Sequence, residues 1–261
     1  MIIKKLLIFT LVFVNWLLSH CQVNVDSIIA NNAYGPGEKL VYAVSYGLIK
    51  GGEATMTVDA IQSGDEFYYY LKSSATTSGF VTNFTYIKDI YESWVRITTG
   101  FPVKAARNIT ENKYIRYDEV YFYRNENFLF DINTGRHWIP KNCHDFLSAF
   151  YYARQTLFKS KFFKNEILDL TTFHDNQLYS VKVKYLKTEK IKTKFGKVEA
   201  HRFIPILEKD NPFKKEDDFQ IWISNDNNFI PLRIKVKTKM GSVSADLIYY
   251  ENLKNPFKKV K

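Results

Sequence analysis

The feature that most constrains this chain is a repeated alternation of apolar and polar side chains with a period of two residues. In the clearest segment, one face would carry Leu232, Ile234, Val236 and Thr238, and the other Arg233, Lys235, Lys237 and Lys239. Successive side chains of a strand point to opposite faces, so this period predicts half-buried β-strands. Because the alternation dominates the chain, we expect a mainly β fold.

Turn sequences indicate which predicted strands pair. Ser63-Gly64-Asp65 separates the alternating segments 54–60 and 67–73, and Gly196-Lys197 separates 190–195 from 198–203. Glycine and aspartate supply the backbone conformations of tight turns, so each pair of segments is predicted to form an antiparallel hairpin.

About a dozen strands are predicted, and flat open sheets of that size are rare. We therefore expect one β-rich domain over residues 22–261, built as an antiparallel β-barrel that is closed or half-open. A β-sandwich has similar strand spacing and remains an alternative. The basic tail, about 254–261, is expected to be frayed.

One segment has helical spacing instead. Its apolar residues are Phe146, Leu147, Phe150, Tyr151 and Leu157. This spacing predicts one α-helix over about 145–158, packed on the sheet through its apolar face. Asn142 is the candidate N-cap, and Asp145 would favour the positive end of the helix dipole.

The N-terminus has the organisation of a secretory signal peptide. Lys4 and Lys5 precede a 13-residue apolar run, 6–18, which is shorter than the roughly 20 residues that span a bilayer. Cleavage before Gln22 would leave residues 1–21 as the signal, whereas Cys21 as a lipidated first residue is the less favoured alternative. We therefore expect an exported protein of the periplasm or outer envelope, without a membrane-spanning helix after cleavage. Cys143 would then be a buried, unpaired cysteine.

Positive charge is concentrated in the second half of the chain. Residues 22–157 carry a net charge of −1, whereas residues 158–261 carry +9. Two strand faces hold much of this excess, and if their strands were neighbours they would form a lysine-rich stripe for an anionic lipid, a glycolipid or an envelope protein. The residues of these faces are Lys182, Lys184, Arg233, Lys235, Lys237 and Lys239. A solvated surface that only maintains solubility is the alternative. Export and the scarcity of arginine argue against nucleic acid.

The sequence contains no recognisable catalytic or metal-binding motif. His137, His144, His174 and His201 lack metal-ligand spacing and are expected to be satisfied surface histidines. In His144-Asp145 and His174-Asp175, alternation would place the two side chains on opposite faces, and the same holds for Asp89 and Glu92. We therefore predict no catalytic residue, no metal and no cofactor.

Aromatic residues, which make up 16% of the chain, offer a binding function instead. In a curved sheet they could line an apolar cavity, although core packing is the more common role. The candidate ligand-binding residues are Tyr42, Tyr46, Glu53, Tyr69 and Trp222, with Phe67, Tyr121 and Phe122 as further aromatics.

Short motifs in a fixed order carry a resemblance to a known family. They are Gly37-Glu38-Lys39-Leu40-Val41-Tyr42 with Gly47 and Gly52-Glu53-Ala54; Asp89-Ile90-Tyr91-Glu92-Ser93; Pro102 with Arg107; Asp145-Phe146-Leu147-Ser148-Ala149-Phe150-Tyr151; and Trp222-Ile223-Ser224 with Asp226 and Pro231. The series spans roughly residues 35–250 and resembles an exported bacterial family, domain of unknown function 3108. The resemblance implies a β-rich envelope protein of the kind common in Bacteroidota, and it implies no activity. The hairpin around Ile221-Trp222-Ile223 and Pro231-Leu232 also looks like one in periplasmic lipoprotein carriers, which are half-open barrels.

The leading hypothesis is a non-catalytic envelope protein that binds a lipid, glycolipid or hydrophobic partner in a curved β-sheet. The second is a structural or interaction protein with a self-filled barrel and a lysine-rich partner face. The third is a hydrolase, for which the sequence shows no converging carboxylates or histidines.

Overall fold

The computed structural model describes residues 32–157, 165–206, 218–238 and 241–260, and it has a mainly β fold. In these ranges the strands are β1 (Lys39–Tyr46), β2 (Ile49–Ser63), β3 (Glu66–Thr77), β4 (Ile87–Arg96), β5 (Pro102–Glu111), β6 (Tyr114–Tyr123), β7 (Phe128–Asp131), β8 (Gly135–Trp138), β9 (Cys143–His144), β10 (Ile167–His174), β11 (Gln177–Thr193), β12 (Gly196–Pro205), β13 (Phe219–Ser224), β14 (Pro231–Thr238) and β15 (Gly241–Glu251). One α-helix, α1 (Phe146–Leu157), follows β9.

The strands form one sheet whose spatial order follows the chain. Each strand from β1 to β8 pairs with the next, the strands from β9 to β15 do the same, and β1 pairs with β15. Both predicted hairpins are present as β2–β3 and β11–β12. Every pairing is antiparallel except the short parallel contact between β9 and β10.

The sheet curls into a half-open barrel. Its two edge strands, β8 and β9, are joined by residues 139–142, a connection that spans at most about 18 Å. The two edges of this large sheet must therefore lie close together, although no ladder joins β8 to β9 in the described ranges. The predicted barrel is confirmed in its half-open form.

Side chains hold the open seam where backbone pairing is missing. Thr134 beside β8 donates a hydrogen bond to Asn176 at 3.0 Å, and the rings of His137 and Phe173 have centroids 4.9 Å apart. Cys143, buried as predicted, packs in the same apolar cluster as Phe173. Burial raises the pKa of its thiol to about 12, so it stays protonated.

Helix α1 lies within the curled sheet and is not packed on it through one face. It contacts β3 and β4 on one side and β9 and β10 on the other, and its described side chains are buried or half-buried all round. The predicted helix packed on the sheet is therefore confirmed, and the curl of the sheet brings strands to more than one side of it.

The N-cap of α1 is Asp145 and not Asn142. The Asp145 carboxylate accepts hydrogen bonds from the backbone N–H groups of Leu147 and Ser148 at 2.9 and 3.0 Å. These are free amides of the first turn, which an aspartate at the cap satisfies. Ser93 of β4 also donates to Asp145 at 2.7 Å, which fixes the start of the helix against the sheet. Phe158, the last residue of the predicted helix, lies outside the described residues.

A buried ion pair fixes the other end of the helix. Arg154 contacts both carboxylate oxygens of Glu38 at 2.6 and 2.8 Å, and both side chains are essentially inaccessible to solvent. The guanidinium also donates to the backbone oxygens of Ala33 and Asn228, at 3.3 and 3.0 Å. Because all these acceptors belong to other segments, Arg154 joins α1 to the residues before β1 and to the β13–β14 turn.

The C-terminal tail is ordered, in contrast to the frayed tail that was predicted. Phe257 packs against Phe195 and Tyr250, and the Val260 N–H donates to the Lys197 backbone oxygen at 2.9 Å. Phe257 thus anchors this segment to the barrel, although the many lysines of the segment had suggested that it is fully exposed to solvent. Residues 1–31 lie outside the described residues, so the signal peptide and the state of Cys21 remain predictions.

Replacing Arg154 with Met should lower the free energy of unfolding by about 3–5 kcal/mol, because it leaves the Glu38 carboxylate buried without a partner. Urea denaturation would measure the loss. The double variant Glu38→Leu with Arg154→Met removes both charges and should be clearly more stable than the single variant. Equal losses in the two variants would contradict the pairing.

Candidate functional site

An apolar cavity lies between the first turns of α1 and the inner face of the curled sheet. The space in it that water-sized groups can occupy is about 90 Å³, and part of its boundary is open to solvent. Its helix wall is formed by Phe146, Leu147 and Phe150, and its sheet wall includes Tyr42, Val44, Ala54, Met56, Ala75 and Ile234. The lining is almost entirely hydrocarbon, so the cavity suits an aliphatic or aromatic group.

Tyr42 belongs to this wall and carries a buried hydroxyl. Its side chain is buried, and within the described part of the chain its hydroxyl has no hydrogen-bond partner. Burial raises the pKa of this hydroxyl, which therefore remains a donor, and the charges of Arg154 and Glu38 are close enough to influence it. A buried donor without a partner is costly, and a ligand acceptor would satisfy it.

A second, polar compartment adjoins the cavity at the seam and shares Tyr91 and Phe146 with it. Its centre is Arg107, whose Nε donates to Asp118 and whose other nitrogens contact Asp175 and the ring of His174. These contacts join β5 and β6 to the β10–β11 turn, which lies across the open seam. The cluster therefore holds the two edges of the sheet together.

The structure corrects two expectations about histidines. His144 and His201 are buried, so they are not surface residues. His174 and Asp175 both contact Arg107, whereas alternation had placed them on opposite faces. Asp175 begins the turn after β10 and has a positive φ of 44°, which ends the alternation there.

A pair of acidic side chains lies on the inner face of β4 and β5. Asp89 and Glu111 are both buried, and the pKa of Asp89 is raised to about 7 by burial and by the neighbouring charge of Glu111. Glu92, the acidic residue nearest to Asp89 in the sequence of β4, instead accepts a hydrogen bond from Tyr70. The relevant partner comes from the next strand, and only the register of the sheet reveals it.

Of the five predicted ligand-binding residues, Tyr42 alone is in the wall of the apolar cavity. Tyr69 packs against Tyr34, with ring centroids 5.3 Å apart, and Tyr46 packs in the core at the end of β1. Glu53 pairs with Lys50 at 3.1 Å, and Trp222 donates its indole N–H to Glu189 at 2.8 Å.

The remaining aromatics are also elsewhere. Phe67 is exposed, Phe122 is buried in the cluster at the seam, and Tyr121 donates to Glu119.

The basic residues do not form one stripe. Lys182 and Lys184 are on β11, whereas Arg233, Lys235 and Lys237 are on β14, and β12 and β13 lie between them. With strands about 4.8 Å apart, the two groups are separated by roughly 14 Å. Lys182 lies 3.7 Å from Asp169, and Arg233 pairs with Asp246. Lys239 lies outside the described residues.

The described ranges contain no group of three or more histidine, cysteine, aspartate or glutamate side chains arranged to hold a metal ion. The same ranges contain no helix long and apolar enough to cross a membrane.

Sequence reasoning missed most of the cavity wall. Ala54 and Met56 were recognised only as members of an alternating strand, Phe146 and Phe150 only as the apolar face of a helix, and Ala75 lies beyond the predicted segment 67–73. Their alternation indicated which residues face inward, but no local signal indicates that the space between them is left unfilled.

The fold and the cavity define a class of protein: a half-open antiparallel β-barrel that encloses one helix and an apolar pocket. The chain belongs to the family described as Protein of unknown function (DUF3108), whose model matches residues 41–248. The resemblance seen in the sequence is thereby confirmed. No curated protein matches the chain.

Two solved structures that resemble the chain differ in how closely they match it. A β-barrel-like protein of domain of unknown function DUF1849 from Brucella abortus has a TM-score of 0.50 at 9% identity, with 82% of this chain and 96% of that chain covered. The hypothetical protein CT021 from Chlamydia trachomatis has a TM-score of 0.37 at 11% identity, with coverages of 83% and 87%.

Asp89→Asn should make the protein more stable at pH 8 relative to the wild type, with little gain near pH 4. In the wild type, the folded-state pKa of about 7 exceeds the unfolded value of about 3.9, so the stability that protonated Asp89 provides is lost as the pH rises between these values. We expect the difference between the variant and the wild type to change by up to about 4 kcal/mol over this range. Urea denaturation at both pH values measures it, and parallel pH profiles would contradict the assignment.

Proposed function

We propose that this protein is a non-catalytic, exported envelope protein that holds the aliphatic part of a lipid or glycolipid inside its curled sheet. The observation that carries the proposal is the apolar cavity beside α1, whose lining is almost entirely hydrocarbon, as in ligand pockets. A barrel that existed only to support its own fold would gain stability by filling this space, because unfilled apolar volume is destabilising.

The position of Tyr42 supports a ligand that carries an oxygen acceptor on its chain. Its side chain belongs to the hydrocarbon wall, its buried hydroxyl has no partner in the described part of the chain, and the nearby Arg154 is already neutralised by Glu38. A carboxyl or ester carbonyl oxygen would accept the hydrogen bond that Tyr42 cannot make within the chain. The proposed ligand class is therefore an acyl chain with its carbonyl group directed at Tyr42.

The polar compartment supports a binding function more than a reaction. Arg107, Asp118, His174 and Asp175 satisfy one another across the seam, which leaves their strongest interactions within the protein. A hydrolase would need such groups to be available to a substrate.

Ala54→Phe tests the cavity directly. The ring would occupy space that the ligand needs, so the affinity for laurate should fall about tenfold or more, which is about 1.4 kcal/mol or more. Isothermal titration below the critical micelle concentration measures the affinity. The matched control is Ala60→Phe, the same change at an exposed position of the same strand. If laurate did not bind the wild type, or if both variants bound equally, the proposal would fail in favour of a self-filled structural barrel.

Tyr42→Phe tests the polar contact. Laurate should bind less tightly by the value of one hydrogen bond, about 1 kcal/mol, whereas the free energy of unfolding of the ligand-free protein should not fall. It should not fall because the hydroxyl has no partner to lose in the described part of the chain. An unchanged affinity together with reduced stability would show that the hydroxyl is structural.

Export is tested by the mass of the mature chain isolated from the cell envelope. Cleavage by the common secretory route predicts a chain that begins at Gln22 and carries no modification. A chain that begins at Cys21 with added acyl mass would establish the lipid-anchored alternative. A chain that retains residues 1–21 in the cytoplasm would contradict export.

A further inference from the structure

Exposed apolar side chains are concentrated on three neighbouring segments at one end of the barrel. We name this surface the apical patch and define it by the large hydrophobic residues of segments 47–53, 78–88 and 111–115 that are exposed. They are Leu48, Ile49, Phe80, Phe84, Tyr86, Tyr114 and Ile115. Contiguous exposed apolar surface is uncommon on soluble proteins and marks sites of interaction.

The three segments contact one another. The Ser78 N–H donates to the Gly51 backbone oxygen at 3.0 Å, which places the loop after β3 beside the β1–β2 turn. Tyr86 and Asn112 exchange two hydrogen bonds, from the Tyr86 N–H to the Asn112 side chain and from the Asn112 N–H to the Tyr86 backbone oxygen. The patch is therefore one continuous surface.

The most prominent side chains are at the tips of turns. Leu48 is completely exposed, and Phe80 and Phe84 are each more than two-thirds exposed, with ring centroids 4.9 Å apart. Such protruding side chains cover no core, so their exposure is not explained by packing within the chain.

Charge around the patch is mainly positive. Lys50, Lys88 and Lys113 are exposed there, whereas of the two acidic residues in the same segments Glu53 pairs with Lys50 and Glu111 is buried. Aromatic and aliphatic tips flanked by lysines match the interface of a bilayer that contains anionic lipids, because the tips enter the acyl boundary while the lysines meet the head groups.

The apical patch and the apolar cavity lie toward the same end of the barrel. The cavity residues Val44, Ala54 and Ala75 are each within three residues of the apical segments. At the other end, the interior is occupied by the second half of α1 and by the buried pair of Glu38 and Arg154. A membrane at the apical patch would therefore lie at the end of the barrel that is nearer to the cavity.

We propose that the apical patch docks the protein on the surface of an anionic bilayer. This inference goes beyond the proposed function, since docking and cavity binding depend on different residues and can succeed or fail separately.

Vesicle flotation tests the apolar part of the patch. The wild type should float with vesicles of equal parts phosphatidylglycerol and phosphatidylcholine, and Phe80→Ser with Phe84→Ser should reduce this partitioning by about tenfold. The control is Phe67→Ser with Trp138→Ser, which removes two exposed aromatics from the opposite end of the barrel. A wild type that does not float, or an equal loss in both double variants, would overturn the proposal. Failure of the wild type to float would favour a protein partner for this surface.

Charge reversal tests the polar part. Lys88→Glu with Lys113→Glu should abolish the preference for anionic vesicles over pure phosphatidylcholine, whereas Lys182→Glu with Lys184→Glu on β11 should preserve it. Loss of that preference in the β11 variant alone would overturn the apical assignment and support the lysine face of β11. Ala54→Phe should float like the wild type, so failure of the cavity proposal is distinguishable from failure of docking.

Discussion

The buried ion pair of Glu38 and Arg154 is the interaction on which the internal arrangement depends. A lone charge in this interior would be strongly destabilising, so the pair forms only if α1, the residues before β1 and the β13–β14 turn come together. The requirement fixes the end of the helix inside the sheet. Since Asp145 fixes its beginning through Ser93, both ends of α1 are held by polar contacts, and the apolar cavity beside its first turns keeps its shape.

Backbone hydrogen bonds hold neighbouring strands together along the sheet, whereas side-chain contacts hold the open seam. In the described ranges, backbone hydrogen bonds join all fourteen pairs of neighbouring strands in the order from β8 to β9. The edge strands β8 and β9 are instead connected by the short link 139–142 and by side-chain contacts across the seam, such as that between Arg107 and Asp175. Backbone ladders do not titrate, whereas these side-chain contacts carry ionisable groups. The seam is consequently the part of the barrel wall whose cohesion depends on charge.

In the described part of the chain, two adjoining interior compartments of different chemistry share Tyr91 and Phe146. The apolar one is near the apical patch, and the polar one is at the seam. A ligand with an aliphatic chain fits the first, and a bilayer fits the surface outside it. Both proposals therefore rest on apolar features toward the same end of the barrel, the cavity inside it and the exposed side chains outside it.

The sequence by itself determined the mainly β fold, the two hairpins, the single helix, the buried cysteine and the family. These follow from period-two alternation, from turn residues and from ordered local motifs, all of which act over short distances along the chain. It also pointed to Tyr42, because an aromatic residue on the inward face of a curved strand is a reasonable cavity residue. Only the tertiary structure decided that Glu38 meets Arg154, that Asp89 meets Glu111, and that unfilled space remains beside α1. Each depends on sheet register or on how far the sheet curls, and these are set by the sum of many distant contacts that no local pattern records.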